Sequence, residues 1–166
     1  IPKWKEAMAK EVGVQLKFDT YEIVRRDSLP RNTNVMKSGV TLLRKRHHGT
    51  GQVSRYKARL YCCGYSQRPG MEFDPGGIFS PTPRAASVRT LVSNICQRRM
   101  LMRGADVSAA FLHVPVTEES GLYMEMHPQM PLVHPFFAAA SAGTHVLKLK
   151  KYLYGMKQSS NQWYNY

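Results

Sequence analysis

The sequence predicts an α+β domain. An amphipathic helix opens the chain, and two β-rich runs then flank a polar loop in the manner of a hairpin. The later strands and helices mix without a regular βαβ alternation. With 166 residues, 43% of them hydrophobic and 21% charged, the chain can bury a core and has the balance of a folded protein.

Trp4, Met8, Val12 and Leu16 recur near helical spacing, so residues 4–18 read as an amphipathic helix, weakened at Gly13. Residues 20–24 read as a short strand. Residues 40–46 and 53–63 are the two arms of the hairpin, joined by a loop from His47 to Gln52. Residues 68–85 hold Pro69, Pro75, Pro81 and Pro83 with Gly70, Gly76 and Gly77, and read as loop. Val88, Leu91, Val92 and Ile95 mark a helix over 86–99. Residues 100–107 and 121–126 read as strands, 127–145 as loop, and 146–149 as a last strand. A final helix starts at Ser159. No internal repeat is visible.

The charge balance is strongly basic, with 24 Lys plus Arg against 11 Asp plus Glu, a net +13. That balance suits a polyanion such as nucleic acid, or describes a generally basic surface. The basic residues are also segregated. Between Ser28 and Met71 there is no acid, while Arg31, Lys37, Arg44, Lys45, Arg46, Arg55, Lys57, Arg59 and Arg68 all fall there. The three cysteines, Cys62, Cys63 and Cys96, form neither a CxxC pair nor a disulfide framework, which fits a reducing compartment. No apolar run approaches the roughly 20 residues of a membrane span. The start, from Ile1 to Trp4, has no signal-peptide form and no initiator Met, so the chain reads as an interior piece of a longer frame. An intracellular location, cytoplasmic or nuclear, is expected.

Two constellations carry chemistry. Alternation along the second hairpin arm puts Arg55, Lys57 and Arg59 on one face and Tyr56, Ala58, Leu60 and Cys62 on the other. Arg44 and Arg46 share a face of the partner arm. A ribbon with one basic face suits phosphate, because Arg offers a planar fork and Lys a point charge. The same pattern also describes the solvated outside of an ordinary sheet. Asp106 follows an apolar run and precedes Val107 and a helical pattern. A carboxylate there can bind a hard cation or cap the helix. The other candidates are weak. His47 and His48 sit in a turn with no metal-ligand spacing, Gly76-Gly77 is no P-loop, and no nucleophile-elbow pattern occurs.

Taken in order, several segments resemble the reverse transcriptases of copia-type retrotransposons. Trp4, Ala7-Met8, Glu11 and the run Thr20 to Val24 are similar to the family's opening helix and strand. The run from Gly51 to Leu60 resembles its fingers hairpin, followed by Gly64-Tyr65-Ser66-Gln67 and Phe79-Ser80-Pro81. Asp106-Val107 with Ala110-Phe111-Leu112 is similar to the first palm motif. The run from Leu149 to Gln158, with Trp163, resembles the family's most recognisable block. Three places depart from the pattern: Tyr61-Cys62-Cys63, Gly77-Ile78 and Asn161.

The resemblance implies an incomplete polymerase right-hand fold: a fingers β-hairpin plus a partial palm sheet with packed helices. Residues 1–99 would be mainly fingers and 100–166 partial palm. It implies template-directed DNA synthesis by the intact polyprotein, on an RNA or DNA template–primer with deoxynucleotide triphosphates and two Mg²⁺ ions. Asp106 would be a metal ligand and Val107 a carbonyl donor to the same ion. Lys57 and Arg59 would hold the triphosphate, and Phe111 would exclude a ribose 2′-hydroxyl. Tyr154, Gly155 and Lys157 would place nucleotide and template, while Arg44, Arg46 and Arg55 would touch nucleic acid. The family's paired aspartates would lie beyond Tyr166, so the isolated chain is expected to bind metal weakly and not to polymerise. A non-catalytic basic binding module, or a decayed gene fragment, is the competing expectation.

Overall fold

Burial of one apolar stripe explains the first helix. In the computed structural model, which describes residues 2–166, α1 (Pro2–Lys17) turns Ala7, Met8, Val12 and Gln15 inward. Gln15 is the exception on that apolar face, and it has a specific partner described below. The chain then enters β1 (Tyr21–Arg25), β2 (Val35–Met36), β3 (Ser38–Arg46) and β4 (Val53–Cys62).

β3 and β4 form the antiparallel hairpin expected from the sequence, and its loop is closed by His47 and Gln52. Gly51 adopts φ 66 there, a left-handed conformation that glycine enters without a Cβ penalty. Gly39 lies opposite Tyr61, whose ring occupies the space a Cβ would need, 2.5 Å away. A glycine paired with an aromatic ring is a known way to fill such a gap in a strand pair.

The rest of the chain adds α2 (Ala85–Gln97), β5 (Tyr123–Glu125), α3 (Met130–Val133), β6 (His145–Leu149) and α4 (Ser159–Asn165). A second sheet has the order β1-β6-β5-β2, with β5 and β2 parallel and the other neighbours antiparallel. It therefore combines strands from both ends of the sequence. One core joins this sheet to the hairpin, with Met8, Met36, Leu60, Leu112, Met124, Phe137, Leu147 and Leu153 all fully buried. The mixed α/β architecture agrees with the sequence-based fold class.

Two sequence-based expectations are corrected, and one helix forms with its apolar stripe uncovered. No strand forms over 100–107, where the backbone is irregular and Leu101 is 92% exposed. A strand is stable only when its N–H and C=O groups meet a neighbour, and no strand lies beside this run. α2 forms as expected, but Val88, Leu91 and Val92 stay exposed and no residue of the helix is buried. Its apolar stripe predicts the helix correctly without predicting a covered face. Finally, residues 127–145 are not plain loop, since α3 and a 3₁₀ turn (Pro135–Phe137) bury Met130 and Phe137. No helix of the described residues is long and apolar enough to cross a membrane.

Candidate nucleotide and nucleic-acid site

The hairpin register sorts the predicted basic residues onto two faces. Lys45 lies opposite Arg55, Leu43 opposite Lys57 and Thr41 opposite Arg59. Directly opposed residues of an antiparallel pair share a face. Lys45 therefore joins Arg55, Lys57 and Arg59, whereas Arg44 lies opposite Tyr56 on the other face. Arg44 therefore does not add to the Arg55 face, and Lys45 is the residue that sequence reasoning missed. A one-residue offset reverses every side chain, and only the pairing decides it. Arg46 lies beyond a register shift, and its guanidinium donates to the Gly51 carbonyl at 2.8 Å. It ties down the loop.

The outer edge of β4 is covered by α1. Glu11 accepts from the Leu60 N–H at 3.3 Å, and the Gln15 side chain donates to the Leu60 carbonyl at 3.3 Å. Gln15 also donates to Glu11 at 3.3 Å. These bonds satisfy an edge that would otherwise be open to another chain. Burial pushes the Glu11 carboxyl above its ordinary range, opposed by the Leu60 hydrogen bond and by the charges of Arg59 and Lys57. Glu11 is thus a partly buried countercharge to those two cations. The sequence signal was a Glu and a Gln four residues apart beside an apolar helix stripe.

Further along the same edge, a turn at Tyr154-Gly155 is stapled to the end of β4. The Cys62 N–H donates to the Tyr154 carbonyl at 2.9 Å, and the Gly64 N–H donates to the Gly155 carbonyl at 3.1 Å. Gly155 has φ 87, and a Cβ there would sit 2.1 Å from the Cys62 carbonyl oxygen. Two buried amides lock the following residues. Gln67 donates to Gln158 at 2.9 Å and accepts from the Lys157 N–H at 2.9 Å, and Gln158 donates to the Glu72 carbonyl at 2.9 Å. The Lys157 ammonium lies 4.5 Å over the Phe73 ring.

Tyr154 is the centre of the arrangement. The Arg59 guanidinium lies 4.7 Å over its ring, and Phe111 meets it edge-on at 5.3 Å. Burial pushes the Tyr154 hydroxyl pKa up. Arg59 opposes that shift, while Glu11 and Asp106 add to it. Phe111 and Arg59 therefore border one aromatic side chain although they are far apart in sequence, and Asp106 is close enough for its charge to act on the hydroxyl. Asp106 is exposed and makes no ion pair or side-chain hydrogen bond among the described residues. It does not cap the turn that follows (Ala110–His113), which has Ala109 at its N-cap with φ 55. Val107 is half-exposed on the same irregular run.

Among the described residues no three His, Cys, Asp or Glu side chains gather as a metal site. A hard divalent cation needs several oxygen ligands. Asp106 alone is one ligand, so the residues present do not make a metal centre and no step is derived through one.

The chain belongs to the reverse transcriptase (RNA-dependent DNA polymerase) family, whose model matches residues 18–166. Its relatives are Pol polyproteins of copia-type transposons. It is 32% identical over 98% of its length to the retrovirus-related Pol polyprotein from transposon RE1 of Arabidopsis thaliana, covering 10% of that relative. It is 36% identical over 96% of its length to the corresponding polyprotein from transposon TNT 1-94 of Nicotiana tabacum, covering 11%. The Ty1-ER2 Gag-Pol polyprotein of Saccharomyces cerevisiae is 28% identical over 98% of the chain, with 8% of that relative covered. The chain thus spans about a tenth of the length of these relatives. No solved structure matches it. Reverse transcriptases use divalent metal ions in general.

Proposed function

We infer that this chain is the template- and nucleotide-holding segment of a copia-type reverse transcriptase that copies nucleic acid into DNA as part of a polyprotein. The observation that carries the reading is the packing of Arg59 and Phe111 on the Tyr154 ring, with Asp106 close enough for its charge to act on the Tyr154 hydroxyl. Arg59 and Lys57 hold the triphosphate of the incoming deoxynucleotide, with Glu11 behind them limiting their excess charge. Phe111 stands where a ribose 2′-hydroxyl would be tested. Tyr154, Gly155 and Lys157 position nucleotide and template, on a turn made rigid by Gln67 and Gln158. Lys45 and Arg55 extend the phosphate-binding face along the hairpin, and Arg46 contributes charge at the loop.

Asp106 and the Val107 carbonyl supply oxygen donors toward a Mg²⁺ ion in the complete polymerase, where further carboxylates must come from another segment. By itself the chain binds primer–template and does not extend it. Its partners are an RNA or DNA template–primer, deoxynucleotide triphosphates and the remaining polyprotein, inside the cell. Residues 1–99 act mainly as fingers and 100–166 as partial palm.

The test is binding to a blunt primer–template duplex across a salt series. Lys45→Gln/Arg55→Gln should weaken binding and reduce the salt slope by about 1.8, from ~0.9 for each phosphate no longer neutralised. An unchanged slope would refute the assignment. Primer extension by the 166-residue chain alone, abolished by Asp106→Asn, would show that it carries more of the catalytic centre than this reading allows.

A further inference from the structure

We propose that the outer edge of β3 accepts an extended acidic peptide from a partner protein, as an added strand with one apolar side chain seated in a pocket beside α3. The nucleotide and the duplex assigned above to the hairpin face leave that edge free, so the inference goes beyond both.

The edge is open. β3 runs for nine residues and pairs only with β4. The Cys63 N–H donates to the Lys37 carbonyl at 2.8 Å, which fixes the alternation of the ladder. Odd-numbered residues of β3 bond to β4, and Val40, Leu42 and Arg44 direct their N–H and C=O groups outward. The same alternation turns the Leu60 peptide group out of the far side of β4, where Glu11 and Gln15 bond to it. Among the described residues no such cover meets Val40, Leu42 or Arg44.

A pocket lies at the same edge. Its volume is about 230 Å³, and Trp4, Lys5, Leu42, Gln129, Leu132 and Val133 line it. That is below the roughly 300–1,000 Å³ of a drug-sized ligand site and suits one large apolar side chain. One wall is built, because Trp4 packs edge-on against Tyr56 at 4.6 Å. Leu42 is 48% exposed and Leu132 69%, so the chain leaves this apolar patch uncovered. A residue of an added strand directly opposite Leu42 shares its face, and its side chain enters the pocket. In strand addition the backbone ladder gives affinity and such a pocket gives specificity.

Charge chooses the occupant. Arg44 and Lys45 stand at the tip end of the edge and Lys5 borders the pocket, and none of the three is in an ion pair among the described residues. Arg44 is two residues from Leu42 and shares its face, so an acid two residues from the apolar anchor meets it. A second copy of the chain fits poorly. It carries +13 overall and has no acid between Ser28 and Met71 to set against these cations. Charges at a strand edge ordinarily deter pairing, but here they sit at one end, so they discriminate among partners rather than close the edge.

The probe is a blocked fluorescent heptapeptide with threonine at alternate positions and glutamate, leucine and glutamate between them, titrated into the 166-residue chain by anisotropy. It should bind. Replacing its leucine with alanine should weaken binding roughly tenfold or more, from the loss of one buried apolar side chain. Leu132→Gln should do the same. Exchanging the glutamates for lysine should abolish binding, and so should methylating the backbone nitrogens of the leucine and glutamates, which leaves the charge unchanged. Leu42→Pro should also abolish it, since it removes an outward N–H that β4 does not use, while blunt-duplex binding and the circular dichroism spectrum stay unchanged. Should Leu42→Pro unfold, the methylated peptide tests the same ladder from the other side. Bound peptide should slow hydrogen exchange at the Val40, Leu42 and Arg44 amides.

Equal binding of the methylated peptide would reduce the contact to attraction between opposite charges and overturn the proposal. So would binding indifferent to the leucine and to Leu132→Gln. Self-association of the unaltered chain in sedimentation, abolished by Leu42→Pro and without peptide binding, would assign the edge to a second copy and also overturns it.

Discussion

Replacing Gly155 by Ala should destabilise the chain severely, although the change adds one methyl group at an exposed position. Gly155 has φ 87, where an L side chain costs about 1–2 kcal/mol. The new Cβ would fall 2.1 Å from the Cys62 carbonyl oxygen and 3.3 Å from both the Cys62 carbonyl carbon and the Tyr61 ring. The nearest of these atoms is backbone, so the turn itself must move. Movement breaks the Cys62-to-Tyr154 and Gly64-to-Gly155 hydrogen bonds, each contributing about 1 kcal/mol. Strain and broken bonds together come to about 3–4 kcal/mol, a large share of the ~5–15 kcal/mol that holds a domain of this size. The assay is urea unfolding followed by circular dichroism, with the midpoint and slope fitted separately. The same variant should lose Arg59-dependent binding of nucleotide, since Tyr154 would move away from Arg59. A destabilisation below about 1 kcal/mol would refute the claim that this close approach is rigid.

The opposite sign is expected at Gly13, which lies within α1 and has no atom within 4 Å of the place an added methyl group would take, so Gly13→Ala should raise stability by about 0.5–1 kcal/mol in the same urea assay. Gln67→Leu should cost about 1–3 kcal/mol, because it leaves the buried Gln158 amide and the Lys157 N–H without their partner; a neutral result would mean that the amide pair is dispensable. Its effect should not add to that of Gly155→Ala, since Gln67 lies beside Gly64 on the same turn, and a double-mutant cycle reads that coupling. Burial holds the His127 imidazole below its ordinary 6.5, so folding favours the neutral ring. That contribution is complete above pH 6.5 and is lost as pH falls through the lower folded-state value. The Gln129 N–H donates to Nδ1 of the neutral ring at 3.3 Å, and protonation removes that acceptor. His127→Gln should therefore flatten part of the fall in urea midpoint between about pH 7.5 and about pH 5.5, and an identical pH profile would refute the assignment.

Local features were legible wherever a local pattern had one physical solution. The helical stripe Trp4, Met8 and Val12 specifies α1, and the alternation Tyr56, Ala58, Leu60 and Cys62 specifies which face of β4 is buried. The excess of Lys and Arg between Ser28 and Met71, and the order of short motifs from Trp4 to Trp163, were enough to name the family and to single out Asp106, Phe111 and Tyr154. These signals survive in one dimension because each depends on residues within a few positions of one another.

Other features hang on pairs distant in the chain and took the folded arrangement to settle. The β3–β4 register exchanged Arg44 for Lys45 on the basic face, since a side chain's face is set by its cross-strand partner. The apolar run at 100–107 reads as a strand, yet no neighbour completes a ladder there and the backbone stays irregular. Glu11 and Gln15 acquire their role from the Leu60 peptide group, 49 and 45 residues away. Gly155 must be glycine because Cys62 approaches it, and Gln67 is buried because Gln158 receives it. Hydrophobic periodicity is a property of one segment, whereas register, close backbone approach and buried hydrogen bonds are properties of two.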